Sequence, residues 1–125
     1  MMFVRSPRQR RSNHQQRALD AYILQLHHAI AIKLLSQPEL IKQCEEQLVQ
    51  LYHTKQIRHG AYVYWDSVLR LYPEEEAFIA AITDSGPKAS KYRRKTPCSG
   101  ILTEHERQQL MASNAKPHHK SDFHE

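Results

Sequence analysis

Few residues of this 125-residue chain have the types and spacing that catalysis requires. Arg8 and His14 show the Arg-x5-His spacing of some small helical ribonucleases, but they lie in a polar, basic stretch without helical periodicity. The acidic run Glu74–Glu76 favours a helix start over a catalytic pair, since neighbouring side chains point about 100° apart on a helix. No set of nucleophile, base and acid can be assembled. We therefore expect a protein that is not an enzyme, with a small ribonuclease as the most distant alternative.

Histidines and cysteines are the residues that could bind a metal ion, and both are poorly placed for it. His118, His119 and His124 lie close together near the end of the chain, where nothing supplies the hydrogen-bond partners that orient metal-bound imidazoles. Cys44 and Cys98 are far apart in sequence and form no paired-cysteine zinc motif. We expect two reduced thiols, of which Cys98 follows a proline in a loop and could be exposed and reactive. The sequence predicts no metal site and no cofactor.

Basic residues are concentrated at the two ends of the chain. The formal net charge is +5, and the first 17 residues contain five Arg and no acidic residue, whereas residues 18–87 are mildly acidic. A second basic cluster surrounds Tyr92, which could stack on a base. Non-specific binding to a nucleic-acid backbone is therefore kept as an alternative function. The candidate contacts are Arg5, Arg8, Arg10, Arg11 and Lys91.

The elements that must position these residues are helical. Apolar residues recur at intervals of three and four in the first part of the chain, which predicts a helix over residues 15–35. They are Leu19, Ile23, Leu26, Ile30 and Leu34.

A second helix is predicted to start at Ser36. Residues 36–39, Ser-Gln-Pro-Glu, combine an N-cap serine, a proline in the first turn and a glutamate that could bond back to the serine amide. Apolar residues follow on one side, and His59-Gly60 marks the expected end. A tight turn between the first two helices would place them side by side as an antiparallel pair.

Further helices are expected in the second half of the chain. Residues 61–72 carry apolar residues at helical intervals, with Trp65 in the core, although the aromatic cluster leaves a strand as the alternative for residues 61–65. The glutamates after Pro73 predict a short helix. A basic helical turn is expected over residues 88–95. Thr103, with a glutamate three residues later, has the spacing of a capping box that opens the last helix.

Together these elements predict an all-α protein, a compact bundle of five or six short helices. The two polar ends contain too few apolar residues to offset the entropy lost on ordering. We therefore expect a disordered basic arm over residues 1–13, one helical domain over 14–112 and a disordered His-rich tail over 113–125.

No apolar stretch approaches the length of a membrane span or forms a signal peptide, so we expect a cytoplasmic protein without membrane contact.

Three segments of the chain carry a combination of motifs. Residues 26–40, LHHAIAIKLLSQPEL, resemble a Leu-His-Arg-Ala-Ile-Ala-x-Lys-Leu-x-x-Asp-Pro pattern. Residues 64–69, YWDSVL, resemble Glu-Trp-x-x-Leu-Leu, and residues 91–107, KYRRKTPCSGILTEHER, resemble Leu-Arg-Gln-x-Ser-Pro-Phe-Ala-Gly-Val-Leu-x-x-x-Glu-Arg. In this order and spacing they are similar to small helical bacterial proteins, and to C-terminal regions of some helix-turn-helix proteins, that look like antitoxins of toxin–antitoxin modules.

The resemblance implies a non-enzymatic inhibitor that neutralises a protein partner, such as a nuclease-type toxin, through the last of these segments. A basic loop shaped by proline and glycine could enter the acidic active site of a toxin and pair with its carboxylates. Cys98 and Ser99 stand where the family has Phe-Ala. The implied partner contacts are Arg93, Arg94, Pro97, Gly100, Leu102 and Arg107.

Overall fold

In a computed structural model, the backbone of residues 6–122 and the side chains of residues 14–113 are described. This part of the chain is helical and contains no strand, so the all-α prediction is confirmed, including a helix at residues 61–65. No helix within it has an apolar stretch of the length needed to cross a bilayer. The helices are α1 (Ser6–Ser36), α2 (Leu40–His53), α3 (His59–Arg70), α4 (Glu75–Ile82), α5 (Pro87–Arg93) and α6 (Glu104–Asp122).

The first and last helices extend beyond the limits that the apolar periodicity indicates. α1 begins at Ser6 instead of near residue 15, and α6 continues to Asp122. The side chains of nearly all residues in the segments 1–13 and 113–125 lie outside the described part of the chain. The predicted boundaries of the arm, the domain and the tail therefore stay predictions.

The junction between α1 and α2 differs from the prediction at Ser36. Instead of capping α2, Ser36 is the last residue of α1, and its hydroxyl donates to the Lys33 carbonyl at 3.1 Å. α2 begins without a side-chain cap, because the Leu40 amide already bonds to the Gln37 carbonyl at 3.0 Å. The main packing partner of α2 is α3, and those of α1 are α4 and α5. The first two helices are therefore not each other's main packing partners, and their antiparallel arrangement stays a prediction.

The end of α2 is determined by a left-handed residue that the sequence does not mark. Lys55 has a φ of 63°, and the Gln56 amide bonds back to the Leu51 carbonyl at 2.9 Å. His59 and Gly60, which were expected to end a helix, form the first turn of α3. Glycine is the usual residue at the left-handed position after a helix, which is why Gly60 indicated the wrong boundary.

The predicted starts of the later helices are confirmed. The Thr103 amide donates to Glu106 Oε1 at 2.8 Å, and the Glu106 amide donates to Thr103 Oγ1 at 3.0 Å, which forms a reciprocal capping box. α4 follows Pro73 and carries Glu75 and Glu76 in its first turn, near the positive end of the helix dipole. Each of these starts depends only on residues within one turn.

Trp65 lies in the middle of the hydrophobic core, as expected. Its side chain is fully buried, and its indole Nε1 donates to the Tyr92 carbonyl at 3.2 Å. Apolar side chains from α1 to α4 and from the segment between α5 and α6 form one cluster with it. The core therefore joins that late segment to the first four helices. Its members include Leu34, Leu48, Phe78, Ile82 and Ile101.

Candidate functional site

The segment that joins α5 to α6, residues 94–103, lies against α1 and closes a cleft of about 170 Å³. We call this segment the 94–103 loop. The floor of the cleft is apolar and consists of Ile23, Leu26 and Ile30 from α1 and Leu102 from the loop. Apolar protein cavities of about 150 Å³ can hold a benzene molecule. The cleft therefore has the volume to receive one apolar side chain.

His27 of α1 fixes the beginning of the loop. The buried ring places Nδ1 2.8 Å from the Ile23 carbonyl oxygen and Nε2 2.8 Å from Thr96 Oγ1. Because a carbonyl oxygen only accepts, we assign the proton to Nδ1, and Nε2 then accepts the Thr96 hydroxyl. Thr96 Oγ1 in turn accepts the Cys98 amide at 3.0 Å. A chain of hydrogen bonds thus runs from α1 into the turn of the loop.

The environment of His27 keeps its imidazole neutral. Burial lowers the pKa of His27 from 6.5 to about 4, because desolvation disfavours the imidazolium, and the positive charge of Arg93 acts in the same direction. Below pH 6.5 the unfolded chain takes up a proton at this residue, whereas the folded protein does not until the pH reaches about 4. Proton uptake in this window therefore favours unfolding.

We expect His27 to reduce the free energy of unfolding by about 3 kcal/mol as the pH falls from 6.5 towards 4. In His27→Gln this part of the pH dependence should disappear, because the side chain no longer titrates. His28→Gln is the matched control, since His28 is its exposed neighbour on α1. Urea unfolding across the same pH range measures the effect. Equal slopes of stability against pH in the wild type and in His27→Gln would contradict this prediction.

Lys33 fixes the other end of the loop. Its Nζ donates to the Ile101 carbonyl and to Glu106 Oε1, both at 2.7 Å. Glu106 is the capping-box residue of α6, and the hydrogen bond from Lys33 lowers the pKa of its carboxyl. Lys33 therefore connects α1 both to the loop and to the start of α6.

Arg94 forms the third link between α1 and the loop. Its Nε and Nη2 donate to the two carboxylate oxygens of Asp20, at 3.0 and 2.8 Å, and this bidentate contact lowers the pKa of Asp20. Asp20 and His27 are two helical turns apart on the same side of α1, and Lys33 lies six residues further along, so α1 holds the loop at three points. Asp20 was missed in the sequence analysis, although its seven-residue spacing from His27 is a signal that could have identified it.

Arg93 lies in the core, where it contributes to the inner wall of the cleft but is almost completely buried. It is only 2% exposed, Nη1 donates to the Ile82 carbonyl at 3.1 Å, and Nη2 donates to Ser90 Oγ at 3.4 Å. Its Nε has no partner among the described residues, and burial lowers the pKa of the guanidinium. The expectation of an exposed partner contact at Arg93 is therefore corrected, because its guanidinium is enclosed between α4 and α5.

The other predicted partner contacts are divided between surface and core. Arg94 and Gly100 are exposed, and Arg107 is half-buried, with all three lining the cleft. Gly100 has a φ of 91°, a left-handed conformation that glycine adopts without strain. Pro97 is fully buried, and Leu102 is buried while lining the cleft. Pro97 thus shapes the loop from inside, whereas the arginines and Gly100 face outward.

The predicted nucleic-acid contacts are only partly within the described residues. Lys91 is exposed on α5. Arg5 and the side chains of Arg8, Arg10 and Arg11 lie outside the described part of the chain, so their roles stay predictions.

Cys44 and Cys98 lie side by side in the core as free thiols, in agreement with the expected reduced state. Both are fully buried, and the Cys44 thiol donates to Cys98 Sγ at 3.6 Å. The hydrogen bond with Cys44, together with burial, raises the pKa of the Cys98 thiol well above its ordinary value. The expectation of an exposed, reactive Cys98 is wrong, because this thiol is shielded from solvent and its thiolate is disfavoured.

The three segments that carry the family resemblance meet around the cleft. His27 and Lys33, from the first segment, bind Thr96 and Ile101 of the third. The ring of Trp65, from the second segment, lies with its centroid 5.8 Å from that of His27. Motifs that are far apart in the sequence therefore build one structural unit.

Neither metal chemistry nor similarity to other proteins adds to this description. Among the described residues, no group of three His, Cys, Asp or Glu side chains could hold a metal ion. Comparisons with protein-family models, characterised proteins and solved structures find no significant match for the chain. The cleft and the groups around it are therefore the basis for a functional proposal.

Proposed function

We propose that this protein is a non-enzymatic, antitoxin-like inhibitor that neutralises a protein partner bound at the cleft between α1 and the 94–103 loop. The observation that carries this proposal is an apolar floor bordered by Arg94 and Arg107, the two arginines of the cleft that are not buried. Binding energy in interfaces concentrates where an apolar side chain fills a pocket and arginines around it meet charged groups. A partner with an exposed apolar side chain next to carboxylates fits this surface.

The two arginines retain hydrogen-bond donors for a partner. Arg94 uses Nε and Nη2 on Asp20, and Arg107 uses Nη2 on Glu104. A guanidinium has five N–H donors, so each side chain can add a partner carboxylate to its intramolecular contact. A nuclease-type toxin, which gathers carboxylates around a metal, would supply such acceptors.

The fixed position of the loop supports the same function. Asp20, His27 and Lys33 already hold the loop against α1 before any partner arrives. Because the loop is ordered in the free protein, little conformational entropy remains to be lost on binding. An inhibitor with a prearranged contact surface can therefore convert more of its contacts into affinity.

Charge reversal at the cleft rim should abolish partner binding without unfolding the protein. In Arg94→Glu/Arg107→Glu, the removal of each exposed ion pair should cost about 0–1 kcal/mol of stability. The reversed interface charges should cost at least about 2 kcal/mol of binding, or about 30-fold in affinity. Arg70→Glu is the control, because Arg70, like Arg107, forms an exposed ion pair within its own helix, with Asp66 at 2.9 Å, and does not line the cleft.

The measurement begins with purification of each tagged protein from native cells and identification of the dominant bound protein by mass spectrometry. The affinity of the purified pair is then measured by calorimetry. We expect the captured partner to slow cell growth when it is expressed alone. Co-expression of the wild type or of Arg70→Glu should restore growth, whereas co-expression of the rim variant, Arg94→Glu/Arg107→Glu, should not. Equal affinity for the folded rim variant would refute the cleft assignment, and a partner with no effect on growth would refute the antitoxin-like function.

A further inference from the structure

A second depression, which we call the basic groove, lies between the start of α3 and α5. It has a volume of about 710 Å³ and is lined by residues 56–58, 60–61, 91–92 and 94–95. Four of its described lining residues are cationic, and none is acidic. The cationic residues are Arg58, Lys91, Arg94 and Lys95.

Most of the positive charge in the basic groove is not neutralised within the protein. Arg58, Lys91 and Lys95 are exposed and have no ion-pair partner among the described residues, whereas Arg94 pairs with Asp20. Cations gathered in one depression reinforce the local positive potential, and low-dielectric walls focus it. An anionic ligand in the groove therefore interacts favourably with several cations at once.

One aromatic side chain lines the basic groove, and two more are stacked on each other at the first turn of α3. Tyr92 lines it and lies close to the backbone of Gly60, where an added Cβ would be 3.1 Å from the Tyr92 hydroxyl. In the same first turn of α3, Tyr62 stacks on Tyr52 with ring centroids 4.5 Å apart and an interplanar angle of 20°. Tyr52 is 37% exposed, and its hydroxyl lies 3.0 Å from His59 Nδ1. The Tyr52–Tyr62 stack therefore involves the first turn of α3, the turn that also supplies Gly60 and Ala61 to the groove.

This combination matches the chemistry of a single-stranded nucleic acid. Its phosphates bind lysine and arginine, and its unpaired bases stack on aromatic rings. An acidic peptide would use the cations alone, and a duplex keeps its base faces stacked inside. We propose that the basic groove binds the backbone of a single-stranded nucleic acid, with Tyr52 and Tyr62 as the stacking platform for its bases. This proposal does not rest on partner binding at the cleft, although Arg94 lines both sites.

The test compares two double variants that change the net charge equally. Arg58→Glu/Lys91→Glu alters the basic groove, and Lys42→Glu/Arg70→Glu reverses one lysine and one arginine at exposed positions outside it. Both keep the arginines of residues 1–17, so any binding by that segment is the same in each. The probe is a fluorescein-labelled oligouridylate of about 20 nucleotides. Its affinity is measured by fluorescence anisotropy over a range of salt concentrations, after circular dichroism has shown that each variant is folded.

We expect the groove variant to bind at least about tenfold more weakly than the wild type, and the control to stay within about threefold. The slope of log affinity against log salt should become shallower by about 1.4 in the groove variant, which corresponds to about 0.7 for each phosphate that the groove no longer neutralises. Tyr52→Ala should weaken binding by about fivefold or more through loss of stacking. Val49→Ala, at another exposed position of α2, should leave the affinity unchanged.

Several results would overturn this proposal. Equal reductions of affinity in the two double variants would show that net charge, and not the groove, determines the affinity. A polyglutamate peptide that displaces the probe as effectively as unlabelled oligouridylate of equal charge would identify an acidic protein segment as the ligand class. An affinity that does not change in Tyr52→Ala would remove the stacking platform, and an absence of measurable binding by the wild type would refute the site itself.

Discussion

Trp65→Ala is expected to destabilise the protein by about 3–5 kcal/mol and to abolish cooperative thermal unfolding. Trp65 is fully buried, and its ring centroid lies 5.8 Å from that of His27 and 5.3 Å from that of Tyr64, so its removal leaves a cavity in the core. The change also takes the indole donor from the Tyr92 carbonyl. Domains are stable by only about 5–15 kcal/mol, so this single change removes a large part of the total.

Two further variants separate the contributions of volume and hydrogen bonding. Trp65→Phe keeps much of the apolar volume but loses the indole donor, and should cost about 1–3 kcal/mol. Val63→Ala, on the same helix at a position that is 46% exposed, should change stability by no more than about 0.5 kcal/mol. Thermal unfolding monitored by circular dichroism ranks the three variants by melting temperature. A Trp65→Ala protein that melts like Val63→Ala would contradict the position of Trp65 in the core.

Arg93→Glu is expected to destabilise the protein by about 3–5 kcal/mol, whereas Arg94→Glu should cost at most about 1 kcal/mol. The difference arises because Arg93 is buried and donates to the Ile82 carbonyl, whereas Arg94 is exposed. A carboxylate at position 93 would face a carbonyl oxygen in a region with little water, and both groups are acceptors. In the same urea-unfolding experiment, Arg93→Glu should thus lower the unfolding midpoint strongly and Arg94→Glu only slightly.

Arg93→Met tests whether the charge or the packing of Arg93 stabilises the fold. No carboxylate bonds to Arg93 among the described residues, and its Nε is unpartnered, so the buried charge is poorly compensated. An apolar side chain of similar length should keep the free energy of unfolding within about 1–2 kcal/mol of the wild-type value. The remaining cost arises mainly because the Ile82 carbonyl loses its hydrogen-bond donor. If Arg93→Glu unfolded at the same urea concentration as the wild type, Arg93 would have to be exposed in solution and would again be a candidate partner contact.

Helix starts that depend on residues within one turn of each other were predictable from the sequence. Thr103 and Glu106 cap α6 through each other's backbone, and Pro73 with the glutamates after it starts α4. These contacts require no residue from elsewhere in the chain, so the spacing alone determines them. Ser36 shows where this reasoning fails, because α1 continues through it and its hydroxyl bonds back to Lys33 instead of capping α2.

The sequence indicated which segment of the chain forms the candidate site, but not which side chains of that segment are exposed. The resemblance pointed to the segment containing Arg94, Gly100 and Arg107, and these residues do line one cleft. It also pointed to Arg93, whose four-residue spacing from the buried Ala89 places it on the inner face of α5. The burial of Ala89 is itself visible only in the structure, so the sequence offered no signal against the general preference of arginine for solvent.

By itself the sequence determined the all-helical class, the core position of Trp65 and the starts of α4 and α6, because apolar periodicity and capping act between near neighbours. Only the tertiary structure decided that Arg93 is buried, that the main packing partner of α1 is α4, and that Arg58 shares a groove with Lys91. Whether a charged side chain is buried or exposed depends on which distant carbonyl or carboxylate lies against it. Such contacts exist only once the helices have packed, so no local spacing specifies them.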